Sequence, residues 1–160
     1  MMNTMLPIIL GYLIGSIPFG FLAGKIKGVD IRKVGSGNIG ATNIYRSLGI
    51  WPALTVFILD MLKGTAAVYI AQALLPQSTP LLSREYFIVL SGVAAMVGHM
   101  YSIFLGFSGG KGAATSLGIL FGIAPDLFVI AIIYVIICIL LYTPSIYIDI
   151  LYTNIIYFKI

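Results

Sequence analysis

Long apolar runs that carry almost no charge are the feature that most limits how this chain can fold. The first run, Met5 to Gly24, has 20 residues and no charged side chain, which is the length of a helix that crosses a bilayer core. Of the whole chain, 60% is hydrophobic and only 9% is charged. Soluble domains average about 25% charged residues, so this chain belongs in a membrane. Pro18 predicts a bend within the first run.

Three further apolar runs predict an all-α, polytopic transmembrane protein with four or five spans. The second run extends from Trp51 to Leu75 and the third from Tyr86 to Phe107, with a short loop expected at 76–85. The last run, Gly112 to Tyr142, has 31 residues, which is too long for one untilted helix. Pro125 predicts a break in it, which leaves a short segment followed by a full span.

The distribution of basic residues predicts the orientation of these spans. Five of the nine Lys and Arg residues follow the first span, namely Lys25, Lys27, Arg32, Lys33 and Arg46. Because cytoplasmic segments are enriched in Lys and Arg, this segment is expected in the cytoplasm and the N-terminus outside. Two more crossings return the chain to the same side at Ser108. The two glycine-rich segments of the chain are therefore predicted to face one compartment.

The first glycine segment, VGSGNIGATN at 34–43, contains the string G-x-G-x-x-G. A dinucleotide site would need a βαβ unit and an acidic residue about 20 positions on; no such unit is visible, and Asp60 lies inside an apolar run. Glycines can instead turn the backbone so that several N–H groups converge on an anion. Arg46 follows and can bind phosphate through two parallel hydrogen bonds. A generic connecting loop is the alternative. The neutral donors of the segment are Ser36, Asn38, Thr42 and Asn43.

The second glycine segment, GFSGGKG at 106–112, is similar to a phosphate-binding P-loop but does not have its spacing. That motif needs four residues between the first Gly and the Gly-Lys pair, then Ser or Thr. Here three residues separate Gly106 from Gly110, and Gly112 follows Lys111. Lys111 either binds a phosphate as a point charge or reflects the positive-inside tendency. Its expected position beside the first segment favours phosphate.

The second and third apolar runs contain the ionisable residues Asp60, Lys63 and His99. Asp60 and Lys63 are spaced i, i+3, so they share a helix face and are expected to pair inside the protein, in a structural or a catalytic role. His99 is either an interior histidine or a member of the active site. A metal site is not expected, because no carboxylate or second histidine occurs at ligand spacing.

Four motifs, taken in order, resemble the bacterial membrane glycerol-3-phosphate acyltransferase family that uses acyl phosphate as its donor. They are GSIPFG at 15–20, KGVDIRKVGSGNIGATNIYRSLG at 27–49, DMLKG at 60–64 and VGHMYSIFLGFSGGKGAAT at 97–115. Each motif alone is weak, but the ordered set with compatible spacing is specific. The resemblance covers residues 5–140.

This resemblance implies a multi-pass enzyme of the bacterial inner (plasma) membrane, with seven spans in its complete form and an active site that faces the cytoplasm. It implies transfer of an acyl group from acyl phosphate to the 1-hydroxyl of sn-glycerol 3-phosphate, which gives lysophosphatidic acid and phosphate for phospholipid synthesis. The implied partners are these two substrates, membrane lipid and the soluble enzyme that forms acyl phosphate. No cofactor, metal or nucleic acid is implied.

The resemblance also implies roles for individual residues. Ser36, Arg46 and Lys111 are the expected catalytic residues. Substrate binding is implied for Gly37, Asn38, Gly40, Thr42 and Asn43 in the first segment and for Gly109, Gly110 and Gly112 in the second. His99, Asp60 and Lys63 are further candidates.

The end of the chain departs from the family pattern. Residues 1–142 are predicted to form an incomplete membrane acyltransferase domain, followed by an atypical tail at 143–160. This tail, TPSIYIDILYTNIIYFKI, has no counterpart of the RHxxNIxR-like string that the family carries. Its Ile- and Tyr-rich composition predicts a truncated or frameshifted terminus, with an unusual final half-span as the alternative. There are two alternative functions. The chain is either an inactive remnant of the enzyme, or a small membrane anion transporter or channel subunit.

Overall fold

The described part of the chain folds mainly into helices. The computed structural model of the protein describes residues 2–77, 81–134 and 136–137. The predicted tail at 143–160 lies outside these residues. One unit, which ends at Ala124, contains α1 (Met2–Ser16), α2 (Phe19–Ile26), α3 (Ala41–Leu48), α4 (Ile50–Leu74), α5 (Leu81–Met100) and α6 (Ala113–Ile123). The other unit begins at Pro125 and contains α7 (Pro125–Tyr134).

Two stretches of the described chain are long and apolar enough to cross a membrane, Thr4–Ile26 and Ile50–Leu74. The first combines α1 and α2, and the helix is interrupted at Ile17 and Pro18, where the sequence predicts a bend. Proline lacks the N–H that continues a helical ladder, which explains the interruption. A second break, at Ala124, separates the shorter apolar helices α6 and α7 next to the proline that predicts it.

The third apolar run differs from its expected bounds at both ends. The helix α5 begins at Leu81, so the second half of the loop expected at 76–85 is helical. It ends at Met100, and the expected last turns of the span form a 3₁₀ turn, Ile103–Leu105, instead. Gly106 and Phe107 adopt left-handed backbone angles, with φ of 63° and 61°, which reverses the chain and cannot continue a helix.

The helix α4 packs against α1, α3, α5 and α6. Glycines allow the closest of these approaches, because a Cβ atom on Gly118 of α6 would collide with the backbone carbonyl of Met61 on α4. Gly15 of α1 meets the backbone of Ala95 on α5 in the same way. Small residues at such contacts are typical of helices that associate in membranes.

A small apolar core attaches the first glycine segment to α4. Its buried side chains are those of Ile31 just before the segment, Ile39 within it, Ile44 of α3, and Ala53 and Val56 near the start of α4. Because Ile31 and Ile44 are fully buried, both ends of the glycine segment are held against the helix. This core places the segment next to the N-terminus of α6.

Candidate active site

A cavity of about 320 Å³ lies where the two glycine segments meet. The first segment and α3 contribute Ser36, Asn38, Gly40, Ala41, Thr42, Asn43 and Arg46 to its wall, and the rest of the unit contributes Phe57, His99, Lys111, Gly112, Ala113 and Ala114. The volume is within the usual range for small-ligand sites. Residues that are distant in sequence therefore share one concave site.

The side chain of Asn43 holds the first segment in shape. It is 2% exposed, and its Nδ2 donates hydrogen bonds to the carbonyl oxygens of Ile31, Val34 and Asn38 at 3.2, 3.1 and 2.9 Å. Its Oδ1 accepts a hydrogen bond from the backbone N–H of Ser36 at 2.9 Å. The polar atoms of this side chain are thus engaged within the segment itself, so Asn43 acts as an internal brace.

The cavity lies at the N-termini of two helices, α3 and α6. Gly40 precedes α3 and Gly112 precedes α6, and no side chain caps either terminus. The first N–H groups of a helix have no partner within the helix, and the helix dipole makes this end positive. Both features favour an anion such as a phosphate.

Two cations, Arg46 and Lys111, add to this positive potential. Both side chains are exposed and line the cavity. Within the part of the chain that the structure describes, neither forms an ion pair with a carboxylate. Arg32, in contrast, donates two side-chain hydrogen bonds to the carboxyl group of Asp30, and these bonds hold the pKa of that carboxyl at about 2. Asp30 therefore stays charged and neutralises Arg32. Arg46 and Lys111 are therefore the lysine and arginine side chains of the cavity wall whose charge a ligand can use.

A buried ionic cluster lies behind the cavity. Asp60 and Lys63 are 2% and 4% exposed, and Lys63 Nζ lies 2.8 Å from Asp60 Oδ1. Lys63 Nζ also donates a hydrogen bond to the carbonyl oxygen of Ile17 at 2.9 Å. On the other side, His99 Nδ1 lies 3.5 Å from Asp60 Oδ1. His99 is both interior, at 4% exposed, and part of the cavity wall.

The second glycine segment folds against His99. The N–H of Gly110 donates a hydrogen bond to the carbonyl oxygen of His99 at 3.0 Å. A Cβ atom on Gly110 would collide with the imidazole of His99, and one on Gly109 would collide with its carbonyl oxygen. Only glycine fits at these two positions. The close packing of Gly109 and Gly110 on His99 therefore determines where Lys111 lies relative to the cavity.

Comparison with known proteins identifies the family. The family model described as "Glycerol-3-phosphate acyltransferase" matches residues 5–158. The chain belongs to the glycerol-3-phosphate acyltransferase family. The resemblance found from the four motifs is thereby confirmed.

Individual relatives of this acyltransferase family are similar over most of the chain. A glycerol-3-phosphate acyltransferase of Geobacter metallireducens is 50% identical over 114 residues, which are 71% of this chain and 55% of the relative. The one of Aquifex aeolicus is 45% identical over 125 residues, 78% of this chain and 62% of the relative. The chain thus spans about three fifths of the length of these relatives.

A solved structure of the family shares the fold. It is titled as PlsY (YgiH), an integral membrane glycerol 3-phosphate acyltransferase, in its glycerol 3-phosphate form, and is 40% identical with a TM-score of 0.76. The match covers 86% of this chain and 66% of the other. A second form of the same protein, with lysophosphatidic acid in its title, gives a TM-score of 0.70. Together with the helices described above, this likeness confirms an all-α polytopic membrane fold.

Most residues that the acyltransferase motifs single out line the cavity, but not all of them do. Gly37, Gly109 and Gly110 shape the two segments without lining it, and Asp60 and Lys63 lie behind it. Phe57 and three alanines were not singled out by the motifs. Phe57 precedes Asp60 by three residues on α4, so helical periodicity alone could have placed it on this face. In the described residues, His, Cys, Asp and Glu form no group of three that could hold a metal.

Proposed function

We propose that this chain transfers an acyl group from acyl phosphate to the 1-hydroxyl of sn-glycerol 3-phosphate, with lysophosphatidic acid and phosphate as products. The observation that carries this proposal is the convergence of Arg46 and Lys111, on two separate glycine segments, in one cavity that two helix N-termini border. Both proposed substrates carry phosphate, so a site with several anion-binding groups suits them. The glycerol 3-phosphate and lysophosphatidic acid forms named for the solved relative support glycerol 3-phosphate as the substrate and lysophosphatidic acid as the product.

The proposed reaction needs positioning and charge neutralisation more than a strong nucleophile. The hydroxyl oxygen attacks the acyl carbonyl carbon, the bond from that carbon to the phosphate oxygen breaks, and phosphate leaves with the electron pair. A phosphate oxygen accepts the hydroxyl proton. Arg46 and Lys111 hold the phosphoryl groups, and Ser36 and Thr42 add neutral hydrogen-bond donors. Such preorganised groups supply catalysis by orientation and electrostatic stabilisation.

The cavity wall also suits a substrate with a long acyl chain. The wall includes the apolar residues Phe57, Ala113 and Ala114. We place these residues toward the membrane lipid, at the cytoplasmic face of a bacterial inner membrane, with the N-terminus outside. The basic residues after the first span support this orientation. The acyl phosphate would come from a soluble enzyme that forms it, and no cofactor takes part.

The test is a direct assay of the purified protein in detergent or liposomes. With a long-chain acyl phosphate and glycerol 3-phosphate, we expect phosphate and lysophosphatidic acid to form in equal amounts. Lys111→Ala should abolish this turnover, because a phosphoryl group loses its point charge. Lys27→Ala also removes the charge of an exposed lysine, but Lys27 does not line the cavity, so this variant should turn over normally.

Other results of this assay would contradict the proposal. Equal phosphate release without glycerol 3-phosphate would indicate hydrolysis rather than transfer. Binding of glycerol 3-phosphate without any turnover would support the inactive remnant. Uptake of an anion into liposomes, with no acyl product, would support the transporter alternative.

A further inference from the structure

The ion pair inside α4 has no part in the reaction as proposed above. Asp60 and Lys63 are buried within a helix long enough to span the membrane, and neither lines the cavity. Removing two charges from water is costly, and ionisable residues in spans usually serve a specific purpose. The contacts of this pair indicate what that purpose is.

The pair connects the break in the first span with the cavity wall. Lys63 Nζ is hydrogen-bonded to the carbonyl oxygen of Ile17, in the break between α1 and α2. Asp60 Oδ1 lies 3.5 Å from His99 Nδ1, a buried atom that has no hydrogen bond to any described residue. A carboxylate oxygen can only accept, so an imidazole that faces it carries its proton on Nδ1. The charge of Asp60 therefore favours this tautomer and this orientation of the His99 ring, although the 3.5 Å separation is not a hydrogen bond.

The ring of His99 in turn lies against the second glycine segment. Gly110 packs so closely on it that a Cβ atom would overlap Nε2, and Lys111 is the next residue. A rotated imidazole would push against the backbone of Gly110. The orientation of the ring and the position of Lys111 are therefore coupled.

We propose that Asp60 and Lys63 are positioning residues that act through His99 on the second glycine segment and so set where Lys111 meets a phosphoryl group. This inference rests on the proposed function for its kinetic consequence. Its structural part, the control of His99 by Asp60, stands independently of turnover.

Nuclear magnetic resonance of the histidine tests the structural part, since the chain contains a single histidine. In protein labelled with ¹⁵N-histidine, the wild type should show an imidazole that carries a proton on Nδ1. Asp60→Asn leaves the Lys63 charge buried without its partner and can prevent folding. The double variant Asp60→Asn, Lys63→Met removes both charges, and it should fold while the His99 signals move away from the Nδ1-protonated pattern.

Kinetics of the same double variant test the consequence for Lys111. The KM for glycerol 3-phosphate should rise roughly tenfold with kcat little changed, because a displaced Lys111 weakens binding of the phosphoryl group equally in the ground state and the transition state. Thr65→Val is the matched control, because Thr65 lies on α4 like Asp60 and Lys63 and its Oγ1 donates a buried hydrogen bond to the carbonyl oxygen of Gly118 on α6. It should leave both the His99 signals and the KM unchanged.

Three outcomes overturn the inference. The first is a wild-type imidazole protonated at Nε2 alone. The second is a folded double variant with wild-type His99 signals or an unchanged KM. The third is a Thr65→Val control that shifts both readouts as strongly. If the wild type shows no turnover, the proposed function fails, while the His99 signals and calorimetric binding of glycerol 3-phosphate still decide the positioning role.

Discussion

At the scale of single residues, Asn43 shows how one buried side chain can organise a functional segment. It satisfies three carbonyl oxygens and one N–H group of a loop that has little regular structure of its own. Buried polar groups that lose their partners cost free energy, so such a loop needs an internal source of hydrogen bonds. The cavity residues Ser36 and Asn38 are held through these bonds.

Replacement of Asn43 should therefore destabilise the protein and impair the site together. We expect Asn43→Ala to lower the free energy of unfolding by about 1–3 kcal/mol, the cost of leaving buried groups without partners. Asn43→Asp should be at least as harmful, because a carboxylate would face three carbonyl oxygens without a proton to donate. Thermal unfolding in detergent measures both changes. An Asn43→Asp variant with wild-type stability would contradict the bracing role.

Arg46 differs from Lys111 in the geometry it offers to a phosphate. Its guanidinium can donate two parallel hydrogen bonds, whereas an ammonium group provides one compact charge. Arg46→Lys should lower kcat/KM by roughly 10–100-fold, which corresponds to one charged hydrogen bond of about 1.5–3 kcal/mol. Arg32→Lys, the same change at an exposed residue that lies outside the cavity wall, should stay near the wild type. Equal effects of the two substitutions would count against a direct role of Arg46.

At the scale of secondary structure elements, the close contact between α4 and α6 places the second helix N-terminus at the cavity. Gly118 lies so close to the backbone of Met61 that a Cβ atom would collide with the Met61 carbonyl oxygen. Backbone atoms cannot move aside as a side chain can. The position of α6, and with it that of Gly112 at the cavity, therefore depends on this contact.

Gly118→Ala tests this dependence against Gly122→Ala on the same helix. Both changes raise helix propensity equally, but the nearest atoms at Gly122 belong to the side chain of Val68 rather than to backbone. We expect Gly118→Ala to destabilise by about 1–3 kcal/mol, as overpacking does, and Gly122→Ala to be milder. Thermal unfolding compares them. If Gly122→Ala were the more harmful variant, backbone contact between α4 and α6 would not control the packing.

At the scale of the whole molecule, the two glycine segments need to reach the same side of the membrane. The shared cavity requires this arrangement, and an even number of crossings between the segments provides it. The helices α4 and α5 lie between the segments, and a turn at residues 75–77 follows α4. That turn should then be at the opposite membrane face.

Single cysteines in a Cys138→Ser background can test this topology. Lys27→Cys and Ser108→Cys, both at exposed positions, should react with a membrane-impermeant thiol reagent from one side of sealed vesicles. Gln77→Cys, in the turn after α4, should react only from the other side. Labelling of positions 27 and 108 from opposite faces would exclude a common site.

The sequence alone determined the properties that depend on local pattern. Apolar run length and low charge were sufficient for an all-α membrane fold, because each span must satisfy its own backbone hydrogen bonds in lipid. The breaks near Pro18 and Pro125 follow from the missing N–H of proline. The bounds of α5 were less accurate, because its end depends on the left-handed turn at Gly106 and Phe107, which hydrophobicity does not reveal.

The sequence predicted that the two glycine segments face the same compartment, but only the tertiary structure decided which of their residues meet. The cavity that joins Arg46 to Lys111, the internal hydrogen bonds of Asn43 and the contact of Gly110 with His99 all link parts of the chain that are distant in sequence. Spacing along a helix predicted that Asp60 and Lys63 would pair, since both lie on one face. It did not indicate that His99, on another helix, would face Asp60, because that proximity arises from helix packing and not from any local pattern.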